Sequence, residues 1–288
     1  MRLSKFNVYI CLMRLDKPIG IFLLLWPALM ALWIAGNGKP KPFIVGIFVI
    51  GVVIMRSAGC VINDLADREF DKAVVRTKER PLPIGALAPK DAIMLFGFLV
   101  LLAALLVFQL NKITVIASLF GLFLAMIYPF MKRYTALPQV VLGAAFGWAV
   151  PMAFTAVKSH ITKEALLLYV ITILWAVIYD TQYAMVDKKD DIKIGIKSTA
   201  ILFGKWDKAI IGILQVIVLL LLSILGHILA FGKIYYFCLL LAGGTAIYQQ
   251  YLIKDRIPKQ CFKAFLNNNV FGALIFSGIA LEYFYSHA

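Results

Sequence analysis

Nine of the fifteen acidic residues in this 288-residue chain lie in two short windows. The first contains Asp64, Asp67, Glu69, Asp71 and Glu79, and the second contains Asp180, Asp187, Asp190 and Asp191. In a helix, Asn63, Asp67 and Asp71 would share one face, because residues four apart lie above one another. The second window repeats this pattern at i, i+7 and i+11, counted from Asp180. Both windows therefore predict a helix face that is lined with oxygen donors.

Carboxylates on one helix face need a positive partner. They repel one another by a few tenths of a kcal/mol per pair, and an acid within a bilayer costs roughly 2.5–3.5 kcal/mol on insertion scales. One interpretation is that neighbouring Lys and Arg side chains neutralise them at a membrane surface. The other is Mg²⁺, which prefers oxygen ligands and often bridges protein carboxylates to substrate phosphates. Two facing clusters suit a diphosphate, whose growing charge the metal ions neutralise as it departs.

Other kinds of metal or nucleotide site lack support in the sequence. The four cysteines are scattered without CxxC spacing, and the three histidines lie far apart, so neither a zinc site nor an HExxH site is indicated. No glycine-rich phosphate loop of either common type occurs. The sequence therefore predicts a metal held by oxygen ligands.

Long apolar runs must position the two windows. The chain is 62% apolar and only 15% charged, with a mean hydropathy of +0.89, and a helix crosses the hydrocarbon with about 20 residues. We predict an all-α integral membrane protein, a bundle of nine transmembrane helices that forms one domain over residues 1–288. The predicted spans are 18–36, 42–62, 91–109, 113–131, 138–157, 164–186, 209–230, 234–253 and 264–284.

The basic residues predict the orientation of these spans. If the N-terminus is cytoplasmic, the inner segments carry 22 Lys and Arg and the outer loops 6, while Arg56 lies inside span 2. This asymmetry follows the positive-inside rule, predicts a periplasmic C-terminus, and explains the net charge of +14 without nucleic acid. Both acidic windows then lie at cytoplasmic ends, which predicts a cytoplasm-facing active-site cavity. Only 17 residues precede the first span and no transit peptide is evident, which favours a bacterial inner membrane.

The windows also resemble the two motifs of the UbiA-type intramembrane prenyltransferases. Residues 63–71 (NDLADREFD) resemble NDxxDxxxD, and residues 180–191 (DTQYAMVDKKDD) resemble DxxYAxxDxxxD. Within that family, five further segments are similar to the members that act on 4-hydroxybenzoate in ubiquinone biosynthesis. These segments are RLDKPIG (14–20), RPLPIGAL (80–87), YPFMKRYTALPQ (128–139), GIKSTAILFG (195–204) and KAFLNNN (263–269).

The resemblance implies transfer of a polyprenyl group from polyprenyl diphosphate to the ring carbon ortho to the hydroxyl of 4-hydroxybenzoate, with Mg²⁺. The implied metal ligands are Asn63, Asp67, Asp71, Asp187 and Asp191. Asp64 and Asp180 are expected to orient the groups around them. The donor's chain places it in membrane lipid, and no obligate protein partner is indicated.

The remaining predicted site residues serve substrate binding and proton transfer. The predicted substrate-binding residues are Lys17, Arg76, Arg80, Lys132, Arg133, Tyr183 and Lys197. Arg133 is assigned to the carboxylate of the aromatic acid, because a guanidinium binds carboxylate bidentately. Asp191 is assigned as the catalytic proton acceptor. Tyr183 and Tyr128 offer π faces to an allylic cation.

Two alternatives remain at this point. The first is a prenyltransferase of the same fold with another aromatic acceptor. The second is a transporter of Mg²⁺ or of a lipid diphosphate, which would place acids at mid-membrane or on both sides. The outer side carries few acids, Glu164 and Glu282, and this favours the enzyme.

Overall fold

Helices form all the regular secondary structure of residues 5–74 and 76–286, the part of the chain described by the computed structural model. The two chain ends, whose sides of the membrane are predicted above, lie outside these residues. The helices are α1 (Lys5–Leu12), α2 (Ile19–Ala35), α3 (Pro42–Asp71), α4 (Pro89–Val107), α5 (Lys112–Ile127), α6 (Met131–Tyr134), α7 (Pro138–Gly147), α8 (Ala149–Lys158), α9 (Lys163–Lys193), α10 (Thr199–Phe203), α11 (Asp207–Ile228), α12 (Lys233–Ile253) and α13 (Pro258–Ser286). Short 3₁₀ helices cover Tyr128–Phe130 and Gly204–Trp206.

Seven helical segments within the described residues are long and apolar enough to cross a membrane. They are Pro42–Asp71, Pro89–Val107, Lys112–Tyr134, Pro138–Lys158, Lys163–Lys193, Thr199–Ile228 and Pro258–Tyr285. Two of the nine predicted spans correspond to helices outside this set. Span 18–36 corresponds to α2, which has only 17 residues, and span 234–253 corresponds to α12, which carries Gln249 and Gln250 near its end. The all-α membrane fold is confirmed, while the count of nine crossings and the single domain stay predictions.

The ends of the helices follow from local sequence. A proline occupies the first position of α3, α4, α7 and α13, where its missing N–H costs no hydrogen bond. Asn111 and Thr162 cap α5 and α9 by accepting a hydrogen bond from the backbone N–H three residues further on. Pro151 explains why predicted span 138–157 is two helices, since its ring conflicts with the carbonyl of Gly147, where α7 ends.

α3 and α9 continue well past the predicted ends of their spans, at residues 62 and 186. They end at Asp71 and Lys193, so every acid of the two windows except Glu79 is helical, as the spacing predicts, although several of them lie beyond the predicted spans. Hydropathy marks the end of the apolar residues, whereas the helix continues as long as its polar side chains find partners. The last turns of α3 and α9 find such partners in neighbouring segments, as described below.

Two apolar clusters hold these turns around one space. α9 packs against α7, α11 and α13, and α13 packs against α2 and α12. Trp175, Ile178 and Tyr179 of α9 belong to the larger cluster. A smaller cluster includes Leu12, Val61 and Leu82 and joins α1, α3 and α4 to the segment 72–88. The described residues of this segment, 72–74 and 76–88, are non-helical and are thereby held beside the acidic turns.

Candidate active site

A cavity of about 1300 Å³ lies between the last turns of α3 and α9, the segment 72–88, α2 and α13. It is lined by every predicted metal ligand and by every predicted substrate-binding residue except Arg133. The predicted residues that line it are Lys17, Asn63, Asp67, Asp71, Arg76, Arg80, Lys132, Tyr183, Asp187, Asp191 and Lys197. Two windows more than a hundred residues apart in the chain therefore meet at one site.

The oxygen donors of the first window lie on one face of α3, at its C-terminal end. Asp67 and Asp71 are buried, and Asn63 is partly exposed. Lys132, from α6, forms an ion pair with Asp67 Oδ2. The other carboxylate oxygen of Asp67, Oδ1, is buried without a hydrogen-bond partner. Such an oxygen is costly unless a ligand satisfies it.

Asp64 forms ion pairs with two arginines of the cavity. Arg14 Nη2 donates to both carboxylate oxygens at 2.9 Å, and Arg80 Nη1 donates to Oδ1 at 2.9 Å. Arg80 Nη1 also donates to Asp71 Oδ2 at 2.8 Å. Burial of Arg80 lowers its pKa, but the nearby carboxylates of Asp64 and Asp71 raise it by more, so its pKa lies above the ordinary value for arginine. Asp64 thus fixes two cationic side chains, Arg14 and Arg80, that both line the cavity.

The second window meets the segment 72–88 through Arg76. Its Nε lies 3.0 Å from both oxygens of Asp187, and its Nη2 lies 2.5 Å from Oδ2. The guanidinium carbon lies 4.7 Å from the centroid of the Tyr183 ring, in the range of a cation–π contact. Asp191 lies close enough to Asp187, Lys132 and Arg76 to interact with them electrostatically. Arg76 therefore bridges from the first window to the second.

The fit of a divalent metal depends on these donors. Within residues 5–74 and 76–286, no three His, Cys, Asp or Glu side chains converge as ligands of one ion; the acids contact basic side chains instead. The donors nevertheless suit Mg²⁺. All five are oxygen ligands on one cavity, Asp67 Oδ1 lacks a partner, and Mg²⁺ needs only one or two carboxylates when waters and phosphates complete its shell.

Asp180 lies deeper in the cavity than the other acids of its window. Gln139 hydrogen-bonds to it and accepts a hydrogen bond of 3.0 Å from Thr199 N. Lys197, just before Thr199, donates from its backbone N to Lys132 O at 3.2 Å. These bonds tie the segment 194–199 to α6 and α7, and α7 to α9, and thereby place Lys197 and Ser198 at the cavity wall.

Arg133 lies outside the cavity, which disagrees with its predicted role. Its Nη2 donates to Ala66 O at 2.5 Å, and its guanidinium carbon lies 5.2 Å from the Phe70 ring and 5.5 Å from the Phe130 ring. It lines a separate surface pocket on the other side of α3. Lys132 and Arg133 are adjacent in α6 and contact α3 on different sides, at Asp67 and Ala66. Of the two, Lys132 lines the cavity.

Arg56 is a charged side chain of the cavity that the motifs do not include. It lines the cavity two helical turns before Asn63, and none of the ion pairs between described residues includes it. Its Nη1 donates to Cys60 Sγ at 2.7 Å, its Nε is buried without a partner, and its guanidinium carbon lies 5.5 Å from the Phe146 ring. A basic residue inside a predicted span was the available signal, since charges within membranes mark functional sites.

The cavity also has an apolar wall. Phe22 and Leu23 of α2 and Phe262 and Leu266 of α13 line it. Asn269 completes this wall, and its Oδ1 accepts a hydrogen bond of 2.8 Å from Trp26 Nε1, which ties α13 to α2. The cavity therefore joins a charged region at the helix ends to an apolar region between two apolar helices.

Comparisons with known proteins identify the family of the chain. Residues 24–278 match the model of the UbiA prenyltransferase family. The chain is 57% identical over 274 residues to the 4-hydroxybenzoate octaprenyltransferase of Escherichia fergusonii, covering 95% of this chain and 94% of the relative. It is 56% identical over 282 residues to the enzyme of the same description from Salmonella paratyphi C, covering 98% and 97%.

Solved structures share the fold at lower identity. A UbiA homolog from Aeropyrum pernix K1 matches 91% of this chain and 97% of its own, with a TM-score of 0.79 and 24% identity. A UbiA homolog from Archaeoglobus fulgidus bound to GPP and Mg²⁺ matches 95% of this chain and 99% of its own, with a TM-score of 0.71 and 18% identity.

Proposed function

This chain belongs to the UbiA prenyltransferase family, and we propose that it transfers a polyprenyl group from polyprenyl diphosphate to 4-hydroxybenzoate. The new bond forms at the ring carbon ortho to the hydroxyl, giving 3-polyprenyl-4-hydroxybenzoate and diphosphate, a step of ubiquinone biosynthesis. One observation carries the proposal: both acidic windows line one cavity, which is charged where the windows meet and also has an apolar wall from α2 and α13. A donor with a charged head and a long apolar chain has the same polarity.

The diphosphate lies at the charged end in this proposal. Asn63, Asp67 and Asp71 from α3, and Asp187 and Asp191 from α9, would hold Mg²⁺, which would neutralise the charge on the departing diphosphate when bound. Two of the relatives' structures offer a parallel, because the A. fulgidus homolog was solved with GPP or with DMAPP together with Mg²⁺. Basic side chains supply the remaining positive charge. They are Arg14, Lys17, Arg76, Arg80, Lys132 and Lys197.

The reaction breaks the C1–O bond of the donor, and its electron pair leaves with the diphosphate. The resulting allylic cation lies beside the aromatic wall of the cavity, where Tyr128, Tyr183 and Phe146 have their rings. A π face stabilises such a cation by roughly 0.5–2 kcal/mol. The ring carbon ortho to the hydroxyl then bonds to C1 and loses its proton. Asp191 is the proposed acceptor of that proton, since it lies in the cavity and takes part in no ion pair between the described residues.

Arg56 is our proposed partner for the carboxylate of 4-hydroxybenzoate, in place of Arg133. The guanidinium lines the cavity beyond the acidic residues, where the ring must lie to meet C1. It has a buried N–H without an acceptor, whereas Arg133 points away from the cavity. Because a hydrogen bond to a charged group contributes about 1.5–3 kcal/mol, Arg56→Ala should raise the KM for the acid by about tenfold or more.

We also propose that the charged end of the cavity faces the cytoplasm of a bacterial inner membrane. The excess of Lys and Arg on that side of the predicted spans supports this orientation. The two 4-hydroxybenzoate octaprenyltransferases that the chain is 56–57% identical to come from bacteria. A cysteine introduced in the segment 72–88 should then react with an impermeant maleimide only in inverted vesicles.

Prenyl transfer in membranes tests the proposal. Membranes that contain the protein receive 4-hydroxybenzoate and a polyprenyl diphosphate, with Mg²⁺ or with EDTA. We expect 3-polyprenyl-4-hydroxybenzoate only with Mg²⁺, and none from Asp67→Ala or Asp191→Ala. Glu69→Ala and Asp190→Ala are the matched controls, since these neighbouring acids do not line the cavity, and they should retain activity.

Two other results would change the proposal. Product that forms equally well in EDTA would contradict the metal-dependent mechanism. A folded protein that binds the donor but leaves 4-hydroxybenzoate unchanged would contradict the acceptor, and a panel of other phenolic acceptors would then identify the substrate.

A further inference from the structure

Gly20 lies directly against the guanidinium of Arg56. A methyl group added at Gly20 would come within 2.5 Å of Arg56 Nη2 and 2.7 Å of Cζ, and closer still to Nε. Atoms that are not bonded to one another do not approach so closely, so a side chain at position 20 and the guanidinium exclude each other. Because Nε and Nη2 are nearer than Cζ, the methyl would meet the edge of the guanidinium rather than its face.

Three groups then fix this guanidinium. Gly20 from α2 lies against the edge formed by Nε and Nη2, Cys60 Sγ accepts from Nη1 at 2.7 Å, and the Phe146 ring lies 5.5 Å from Cζ. None of them carries a full negative charge. The arginine is therefore held by shape and a weak acceptor, which leaves its charge available for a ligand.

We propose that Gly20 is a positioning residue that determines the specificity for a carboxylated acceptor. It supplies the space in which the Arg56 guanidinium lies, and any side chain at position 20 turns that guanidinium away from the acceptor's carboxylate. This inference rests on the proposed function, in which Arg56 binds the aromatic acid. Gly20 contacts no reacting atom, so its effect reaches the reaction only through Arg56.

The fold itself should tolerate alanine at position 20. Gly20 lies in the second position of α2, and alanine favours helix over glycine. The three nearest atoms that the methyl would meet all belong to the end of one flexible side chain, which can rotate without moving the backbone. We therefore expect Gly20→Ala to weaken binding of the aromatic acid without lowering the stability of the protein.

The test is a kinetic cycle of Gly20→Ala, Arg56→Ala and the double variant. Gly20→Ala should raise the KM for 4-hydroxybenzoate by about tenfold, the loss of one charge-assisted hydrogen bond, and leave the KM for polyprenyl diphosphate unchanged. In the Arg56→Ala background the second substitution should add nothing, because the colliding atoms are gone. Gly51→Ala is the matched control, since a methyl there meets nothing within 4 Å.

An uncharged acceptor completes the design. With 4-hydroxybenzamide, which lacks the carboxylate, the wild type and Gly20→Ala should have the same KM. An unchanged KM for the acid in Arg56→Ala would overturn the carboxylate assignment made under the proposed function. A rise in Arg56→Ala without a rise in Gly20→Ala would overturn the role of Gly20 alone. A penalty for Gly20→Ala that persists in the Arg56→Ala background would show that position 20 acts on packing, and would also overturn it.

Discussion

Asp64 offers the sharpest prediction, because its side chain holds two cationic residues of the cavity. Only 2% of the side chain is exposed, and it accepts three hydrogen bonds of 2.9 Å, two from Arg14 and one from Arg80. Asp64→Asn keeps the shape but removes the charge and one acceptor oxygen. Arg80 retains Asp71 as a partner, whereas Arg14 keeps only the carbonyl of Cys11.

The expected magnitude follows from these bonds. Removing one partner of a buried ion pair costs about 3–5 kcal/mol, and the amide oxygen of asparagine retains part of the interaction, so a loss of about 3 kcal/mol in the free energy of unfolding is expected. For a chain of this size each kcal/mol shifts the melting temperature by about 2–4 °C. Asp64→Asn should therefore melt about 6–12 °C lower in detergent, and its KM for polyprenyl diphosphate should rise as Arg14 loses its orientation.

Glu69→Gln is the matched control for Asp64→Asn. Glu69 lies in the same turns of α3 and pairs with Lys72, but 65% of its side chain is exposed, and exposed pairs contribute about 0–1 kcal/mol. Its melting temperature and its KM values should stay close to wild type. If Asp64→Asn melted and bound the donor like Glu69→Gln, the ion pairs of Asp64 would not be what orients Arg14 and Arg80.

Further predictions concern the remaining charged contacts. Removing Mg²⁺ with EDTA should weaken binding of polyprenyl diphosphate, as measured by calorimetry with a thiolo-diphosphate analogue. Asp187→Asn should show a smaller effect of Mg²⁺ on this binding than wild type does. Equal binding with and without the metal would contradict the assigned ligands. Lys132→Met should leave Asp67 buried without its ion-pair partner and lower kcat/KM for the donor by about tenfold or more, since a charge-assisted hydrogen bond contributes about 1.5–3 kcal/mol, as measured in detergent assays. Arg133→Ala should lower kcat/KM by similar factors for both substrates, because Arg133 supports α3 at Ala66; a selective rise in the KM for the aromatic acid would restore its sequence-based role.

The all-α membrane fold follows from the apolar runs of the sequence, whereas the meeting of the two acidic windows depends on less local information. The spacing of Asn63, Asp67 and Asp71 requires only that α3 remain helical, which is a local property, and the structure places all three on the cavity. That the second window joins the first depends on packing over more than a hundred residues. The matching positions of the two windows at helix ends and the family motifs supplied that information, whereas periodicity alone could not.

The misplacement of Arg133 has a simple geometric cause. Adjacent residues of a helical turn point in directions about 100° apart, so Lys132 and Arg133 need not face the same site. Their sequence carries no signal for which one does. The structure decides this through α3, whose Asp67 pairs with Lys132 and whose Ala66 carbonyl accepts from Arg133.

The importance of Arg56 is easy to overlook in the sequence, because a count of charged residues treats a single arginine in an apolar span as a small exception. A charged side chain within a membrane is energetically costly, so its presence there indicates a functional site. The structure adds what a sequence cannot contain, namely that a glycine from another helix and a ring from a third leave room for that guanidinium.

The two interpretations of the acidic windows, pairing with basic residues or binding of Mg²⁺, are compatible in this cavity. Four acids, Asp64, Asp67, Asp71 and Asp187, pair with four basic residues, Arg14, Arg76, Arg80 and Lys132. The pairing offsets the cost of placing carboxylates at the ends of membrane helices when no substrate is present. A metal ion would have to displace Arg76 from Asp187, because Arg76 contacts both carboxylate oxygens, whereas Asp67 Oδ1 has no partner to displace. The diphosphate would then give a displaced basic side chain a new anionic partner. Because each displaced charge gains a partner, the exchange keeps the number of ion pairs nearly constant. Binding of the metal and the diphosphate therefore costs less free energy than breaking these ion pairs without replacement would.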